Sequence, residues 1–362
     1  MHISSLSLSN FRNYSSEKIE FSQHTNLIYG DNAQGKTNIL EAVCIFSQGR
    51  SHRAKTDREL IRFGEEFAKL SLDFHDNERD YNAAIRLVKN GKKNIKVNHV
   101  QITKLSMLMN YLNVVMFSPE DLELVKGSPS ARRRFIDSSV SQLYPRYLTS
   151  LIDYHKALGQ KNSLLKTLKY KGARSDVMLS VWNEQLAVEG SRIMEYRRDF
   201  VTLLDEFASK IQSEISGEQL KITYSSGIKT DETDKSSIFK YLERNQRREI
   251  ELASAQVGIQ RDDIDVSVNG KTARVYCSQG QQRTAALSMK IAQADYIQRI
   301  KGEYPVLLLD DIMSELDINR RSYLAEKIRD KQVLITSTDT DLIESTPDTK
   351  LIYVKNGTVT EQ

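Results

Sequence analysis

Gly30-Asp31-Asn32-Ala33-Gln34-Gly35-Lys36-Thr37 decides how this chain is read. It matches Gly-x-x-x-x-Gly-Lys-Ser/Thr at every fixed position. The apolar run Leu27-Ile28-Tyr29 predicts a strand feeding Gly30, and the spacing from Thr37 to Phe46 predicts a helix behind the loop. In that setting the backbone N–H groups from Gly30 to Asn38, including those of Asp31, Asn32, Ala33 and Gln34, converge with the helix N-terminus on one point and cradle phosphates. Lys36 is placed to neutralise the β and γ oxygens of a nucleoside triphosphate, and the Thr37 hydroxyl to ligate Mg²⁺.

The second half of such a site is a buried strand ending in acid. Val306-Leu307-Leu308-Leu309-Asp310-Asp311 has this form, and its unbroken apolar run predicts a central parallel strand. Asp310 is then the Mg²⁺ partner and Asp311 the group that polarises the attacking water. Between Lys36 and Asp310 lie enough residues for an inserted domain. From Ser130 to about Ser213 strand signals nearly vanish and two helical stripes take over. One runs from Tyr144 to Leu168 with a polar gap at Lys161, the other from Leu179 to Phe207, and residues 171–176 separate them. They predict an antiparallel helical hairpin with a limb of about 50 Å at 1.5 Å per residue. Such stripes suit a bundle core or a projecting arm equally. Asn90-Gly91, Asn269-Gly270 and Asn356-Gly357 each predict a two-residue hairpin turn, so both ends of the chain contain β-structure.

Composition narrows the class. The 362 residues carry a formal charge of +4, 39% hydrophobic and 28% charged residues, which excludes a disordered or membrane-embedded chain. Cys44 and Cys277 make neither a disulfide framework nor a thiolate metal site, and no leader or spanning segment is present, so a cytoplasmic location is expected. The charge is unevenly spread. Residues 126–174 hold eleven Lys and Arg against two acids, +9, which leaves −5 for the remainder. Arg132, Arg133, Arg134, Lys156, Lys161, Lys166, Lys169, Lys171 and Arg174 are therefore candidate contacts to a DNA backbone.

Upstream of the acids, Ser278-Gln279-Gly280-Gln281-Gln282-Arg283-Thr284 opens a long helix-forming stretch, and Ser314-Glu315-Leu316-Asp317 follows them. The order of phosphate loop, signature loop, paired acids and D-loop resembles that of ABC-type ATPases. The whole chain resembles the RecF family of bacterial recombination and repair ATPases, which are related to SMC proteins. The resemblance rests on residues 8–14 (Leu-Ser-Asn-Phe-Arg-Asn-Tyr), residues 49–53 (Gly-Arg-Ser-His-Arg) and residues 117–122 (Phe-Ser-Pro-Glu-Asp-Leu), together with Arg132 to Asp137, Arg261-Asp262-Asp263 and the signature loop. One motif departs: Gly258-Ile259-Gln260 stands where the family commonly has Gly-Pro-His.

The resemblance implies an α/β fold: an ABC-type phosphate-loop head (1–125 and 216–362) interrupted by an all-helical arm (126–215). It implies ATP and Mg²⁺ as cofactors, with ATP held between the phosphate loop of one subunit and Ser278, Gln279, Gly280 and Gln281 of another. Slow hydrolysis would separate that homodimer. Arg12, from the opening motif, would contact phosphate in cis. The implied partners are double-stranded DNA near gaps, RecR and RecO, and indirectly RecA. The alternative is the ATPase subunit of a transporter, whose insert is shorter and lacks a polybasic hairpin.

Overall fold

The structure is a computed structural model that describes residues 1–173, 175–230, 232–338 and 349–361, with Leu105, Ser106 and Glu361 described by backbone alone. Arg174, one of the candidate DNA contacts, lies outside the described residues. The chain divides into two units, Met1–Asp121 with Lys290–Gln362, and Leu122–Met289.

In the first unit, strand His2–Phe11 alternates buried Leu6 and Leu8 with outward Ser7 and Ser9, the period-2 pattern of a half-buried strand. It is flanked by Tyr14–Glu20 and Phe67–His75, and the sheet continues through Asp80–Val88, Asn94–Val97 and Val100–Gln101, antiparallel throughout. A second sheet has the order Thr358–Glu361, Lys350–Lys355, Thr25–Tyr29, Val333–Ser337, Val306–Asp310, Val114–Phe117. Its strands run parallel except at the edge hairpin. Helix Lys36–Gln48 shares one core with both sheets, through residues such as Ile39, Leu40 and Val43 against Leu6, Leu72, Ile28 and Leu308. The strand Val306–Asp310 is interior and parallel to both neighbours, as its apolar run predicts, though it lies next to the edge strand Val114–Phe117 and not at the centre of the sheet.

The second unit is built on helices Pro129–Ser141, Pro145–Lys171 and Val177–Ser216. At 1.5 Å per residue the last of these, 40 residues long, spans roughly 60 Å. A further helix, Lys235–Leu252, packs on both limbs of the hairpin and covers their apolar stripes. Strands Leu220–Ser225, Asp263–Val268 and Lys271–Thr272 form a small antiparallel sheet against Val177–Ser216. Two backbone-directed bonds tie them down: Ser209 Oγ donates to Leu220 O at 2.5 Å, and Ile222 N–H donates to Asp205 Oδ1 at 2.6 Å. Residues 216–289 therefore group with the helices and not with the head, and the division falls inside helix Gln279–Lys301.

Two of the three predicted turns form as expected. Asn269 and Gly270 have φ of 51° and 73°, Asn356 and Gly357 of 51° and 72°. Asn90 and Gly91 do not adopt the left-handed pair. Pairing between Asp80–Val88 and Asn94–Val97 stops at Arg86 opposite Asn94, and the longer loop closes without that geometry.

Candidate functional site

The loop from Gly30 to Lys36 is fixed by close approach on two sides. A Cβ on Gly30 would lie 2.3 Å from Val354 O, and one on Gly35 would lie 2.6 Å from Asn13 Nδ2 and 2.9 Å from Tyr14 Oη. Both glycines also have positive φ, 146° and 119°, so any side chain is excluded twice. Asn13 Nδ2 donates to Gln34 O at 2.7 Å, Asn38 Nδ2 donates to Asn13 Oδ1 at 2.9 Å, and the Tyr14 hydroxyl donates to Gly35 O at 3.0 Å. The Asn356-Gly357 turn closes the other side: Asn356 N–H donates to Gln34 Oε1 at 2.6 Å and Gly357 N–H to Gln34 O at 3.2 Å. Asp31, Asn32 and Ala33 remain exposed at the tip.

Lys36 is buried, and its ammonium donates to Gly30 O at 2.7 Å and Asp31 O at 2.9 Å. Burial lowers its pKa, while Asp311, Asp31 and Asp310 favour the charged form. The Thr37 hydroxyl donates to Asp310 Oδ1 at 2.9 Å, which joins the two motifs across 273 positions of sequence. Thr336 donates to the same oxygen at 2.8 Å and accepts the Asp311 N–H at 3.0 Å. Asp311 sits at φ 51° at the start of the turn Ile312–Glu315. Its pKa is raised by burial first, then by the neighbouring Asp310, with Lys36 opposing.

Sequence reasoning left two residues of this cluster unassigned. Thr336, at the end of the strand Val333–Ser337, was readable only as one of several hydroxyls there. Glu41, fully buried on the phosphate-loop helix, takes both Arg12 Nε (2.8 Å) and Nη2 (2.7 Å), and accepts from Ser51 Oγ at 2.5 Å. These bonds hold its carboxyl below the usual range although burial pushes the other way. Arg12 also donates to Glu59 O at 3.0 Å, so three of its N–H groups serve the head itself. A charged residue at a core position of an amphipathic helix was the available signal for Glu41.

In the second unit, Ser278 Oγ accepts from Gln281 N–H at 3.2 Å and Gln281 Oε1 accepts from Ser278 N–H at 2.9 Å, a reciprocal cap on helix Gln279–Lys301. Gln281 Nε2 donates to Glu218 Oε1 at 2.6 Å. Ser278 and Gln279 are exposed, Gly280 is half-buried, and the Ser278 hydroxyl hydrogen is not used by the cap.

The candidate DNA contacts divide sharply. Arg132 is buried, its guanidinium bidentate on Asp263 (2.6 and 2.8 Å) and donating to Gly127 O at 2.9 Å. Lys161 is fully buried, its Nζ 2.6 Å from Glu249 Oε2. Neither is available to a DNA backbone, because each neutralises a carboxylate inside the unit. Arg133 is half-buried and donates to Asp262 O at 2.7 Å. Arg134, Lys156, Lys166, Lys169 and Lys171 are exposed, with Lys156 3.2 Å from Asp153. The Arg261-Asp262-Asp263 motif is structural: buried Asp262 accepts from Arg197 Nη1 at 2.6 Å, from Gly227 N–H at 2.8 Å and from the Tyr224 hydroxyl. Gln260, at the departure from the family motif, accepts from the Tyr154 hydroxyl at 2.7 Å.

The profile of the RecF/RecN/SMC N-terminal domain matches residues 2–361. A DNA replication and repair protein RecF of Clostridium perfringens is 40% identical over 99% of this chain and 99% of its own. The chain belongs to the RecF family. RecF of Bacillus cereus is 42% identical over 99% of this chain and 98% of its own. Among solved structures, the recombination mediator RecF in its ATP complex, of the RecFOR pathway, superposes with a TM-score of 0.93 at 35% identity, covering 100% of this chain and 97% of that one. An Smc head bound to the C-winged helix domain of ScpA superposes at TM-score 0.59 and 16% identity over 100% and 97%, a likeness of fold alone. The expected α/β ABC-type ATPase fold and a family role in DNA replication and repair are thereby shown, and nothing supports the transporter reading.

The RecF-family site fits its nucleotide. The cradle has no room for side chains at Gly30 and Gly35, and Lys36 stands behind it. Among the described residues no cluster of His, Cys, Asp and Glu side chains could hold a metal unaided. One hydroxyl and one carboxylate, Thr37 and Asp310, match Mg²⁺, which keeps several waters and takes its other ligands from phosphates. No helix among the described residues is long and apolar enough to cross a membrane.

Proposed function

We propose that this RecF-family ATPase is a DNA-binding switch that closes as a homodimer on ATP and opens when ATP is hydrolysed. The observation that carries this reading is the Thr37–Asp310 bond, which joins the phosphate-loop and paired-acid motifs from opposite ends of the chain. When bound, Mg²⁺ would be held by Thr37 and Asp310 and would polarise the phosphate oxygens. Lys36 holds the β and γ oxygens, Asp311 orients and deprotonates the attacking water, and the backbone from Gly30 to Asn38 fixes the phosphates. The signature loop from Ser278 to Gly280, exposed at Ser278 and Gln279, donates to the γ-phosphate held by a second copy. Arg12 keeps unused N–H donors for phosphate beside its bonds to Glu41.

The substrate of the clamp is double-stranded DNA near single-strand gaps. There, in the cytoplasm, it works with RecR and RecO to load RecA, a reading supported by the RecFOR pathway in which the ATP-bound structural relative acts. Sedimentation with and without ATP tests it. Wild type dimerises only with ATP, Ser278→Arg binds ATP but stays monomeric, and Asp311→Asn accumulates the dimer. A dimer indifferent to nucleotide and to Ser278→Arg would sink the switch.

A further inference from the structure

The outer face of the antiparallel sheet in the first unit carries a pattern that neither folding nor the ATP site explains. Strand register places Lys18, Ser7, Ser71, Ala84 and Lys96 in one row across five strands. The adjacent row on the same face is Ser16, Ser9, Lys69, Arg86 and Asn94. Together they hold four cations, four serines and no acid. With Glu17, the one acid of its lining, they line a shallow depression of about 830 Å³ in which Lys69, Arg86 and Lys96 are exposed and Lys18 pairs with Glu20 at 2.9 Å.

Lys69 stands directly opposite Arg86, a like-charge pair that costs stability in a sheet. Both cations lie over the Phe67 ring, 5.5 and 4.8 Å from its centroid, which aims them along the face. The side chains between them are Ser and Ala, so a large polyanion can approach the sheet closely. One row further along the strands the sign changes: Glu20, Ser5, Asp73 and Asn82 align, with Asp73 accepting from Ser5 Oγ at 2.7 Å and Asn82 Nδ2 at 2.6 Å. A basic strip edged by acid fixes where a backbone lies and where it stops.

From these rows we infer that this sheet face is a docking surface for the phosphate backbone of duplex DNA. The strip crosses four inter-strand gaps of about 4.8 Å, some 19 Å in all. Duplex DNA presents one charge per about 1.7 Å of axis, so a helix laid along the strip places enough phosphates over it for Lys18, Lys69, Arg86 and Lys96 each to take one. Serine hydroxyls add neutral donors, and the contacts carry no base readout. The inference rests on the DNA-binding reading above and moves the contact from the helical unit, where Arg132 and Lys161 are sequestered, to the head.

The test is the salt dependence of affinity for a mixed-sequence 30-base-pair duplex, with and without ATP, using the full chain. The variants are Lys69→Thr/Arg86→Thr, Lys18→Ser/Lys96→Ser, and, as comparator, Lys166→Ser/Lys169→Ser/Lys171→Ser. Each sheet pair is expected to flatten the log–log salt slope by roughly two, one per contact removed. Basal ATP turnover should stay unchanged, and unfolding of the Lys69→Thr/Arg86→Thr variant should shift to equal or higher denaturant. Sheet variants with wild-type slope and affinity, or a slope lost only in the Lys166/Lys169/Lys171 comparator, would overturn the surface and leave the DNA-binding reading standing. Wild type without salt-dependent duplex binding in either nucleotide state would overturn both.

Discussion

Thr336 holds Asp310 from behind: its hydroxyl donates to Asp310 Oδ1 at 2.8 Å while its oxygen accepts the Asp311 N–H at 3.0 Å. One side chain thus sets the orientation of both acids at the end of strand Val306–Asp310. Thr336→Val keeps the shape and removes both bonds. Turnover should fall by about tenfold with ATP affinity little changed, and Thr336→Ser should restore most of it, since one or two hydrogen bonds of about 1 kcal/mol each are at stake. Single-turnover hydrolysis beside equilibrium nucleotide binding separates the two effects.

Asp311 titrates above the ordinary carboxylate range, because of burial first and then Asp310, with Glu315 adding in the same direction. A base with a raised pKa is protonated, and silent, at a higher pH than a free aspartate. The acid limb of the hydrolysis profile should therefore lie at higher pH than an unperturbed aspartate would give. Glu315→Gln removes one negative neighbour and should move that limb to lower pH. A limb that does not move would place the titrating group elsewhere.

Asn13 braces the phosphate loop through Gln34 O and Asn38 Nδ2, at 2.7 and 2.9 Å. Asn13→Ala loses both and leaves a part-buried carbonyl less well satisfied. ATP binding should weaken by about tenfold at unchanged thermal stability, measured by calorimetric titration.

Lys161 and Glu249 form a fully buried ion pair at 2.6 Å, and neither paired atom has a further hydrogen bond. Glu249 Oε1 separately accepts Gln256 N–H at 2.9 Å. Lys161→Met strands a buried carboxylate and should cost about 3–5 kcal/mol in denaturant unfolding. Adding Glu249→Gln removes the orphaned charge, keeps the acceptor for Gln256, and should recover most of that loss. Duplex affinity of the double variant should equal wild type, whereas a phosphate contact at Lys161 would show as a flatter salt slope.

The head was legible because its signals are local. Gly30 to Thr37 and Val306 to Asp311 each declare strand, turn and charge within a few residues. What the sequence concealed are partnerships across distance. The gap that Lys161 makes in an otherwise apolar stripe already marked it as inward-facing, yet charge counting placed it on the surface; Glu249, 88 positions on, decides which reading holds. Arg132 met the same fate through Asp263. Glu41 and Thr336 carry no motif at all, and their roles emerge only where Arg12, Ser51 and Asp310 converge on them. The small sheet of residues 220–272 was missed as part of the helical unit because Leu220–Ser225 is too short to say which layer it covers.

Strand Thr25–Tyr29, which delivers the phosphate loop, has Val333–Ser337 and Lys350–Lys355 as its two sheet neighbours. Both neighbours leave the ribosome some 300 residues after it. At roughly 5–20 residues per second the strand waits about 15–60 s with both edges unpaired. The nascent chain therefore cannot hold nucleotide, and prematurely terminated products lacking those strands are inert toward it. Competence to bind ATP is in this way a report that synthesis has run past Lys350–Lys355, the second of those neighbours.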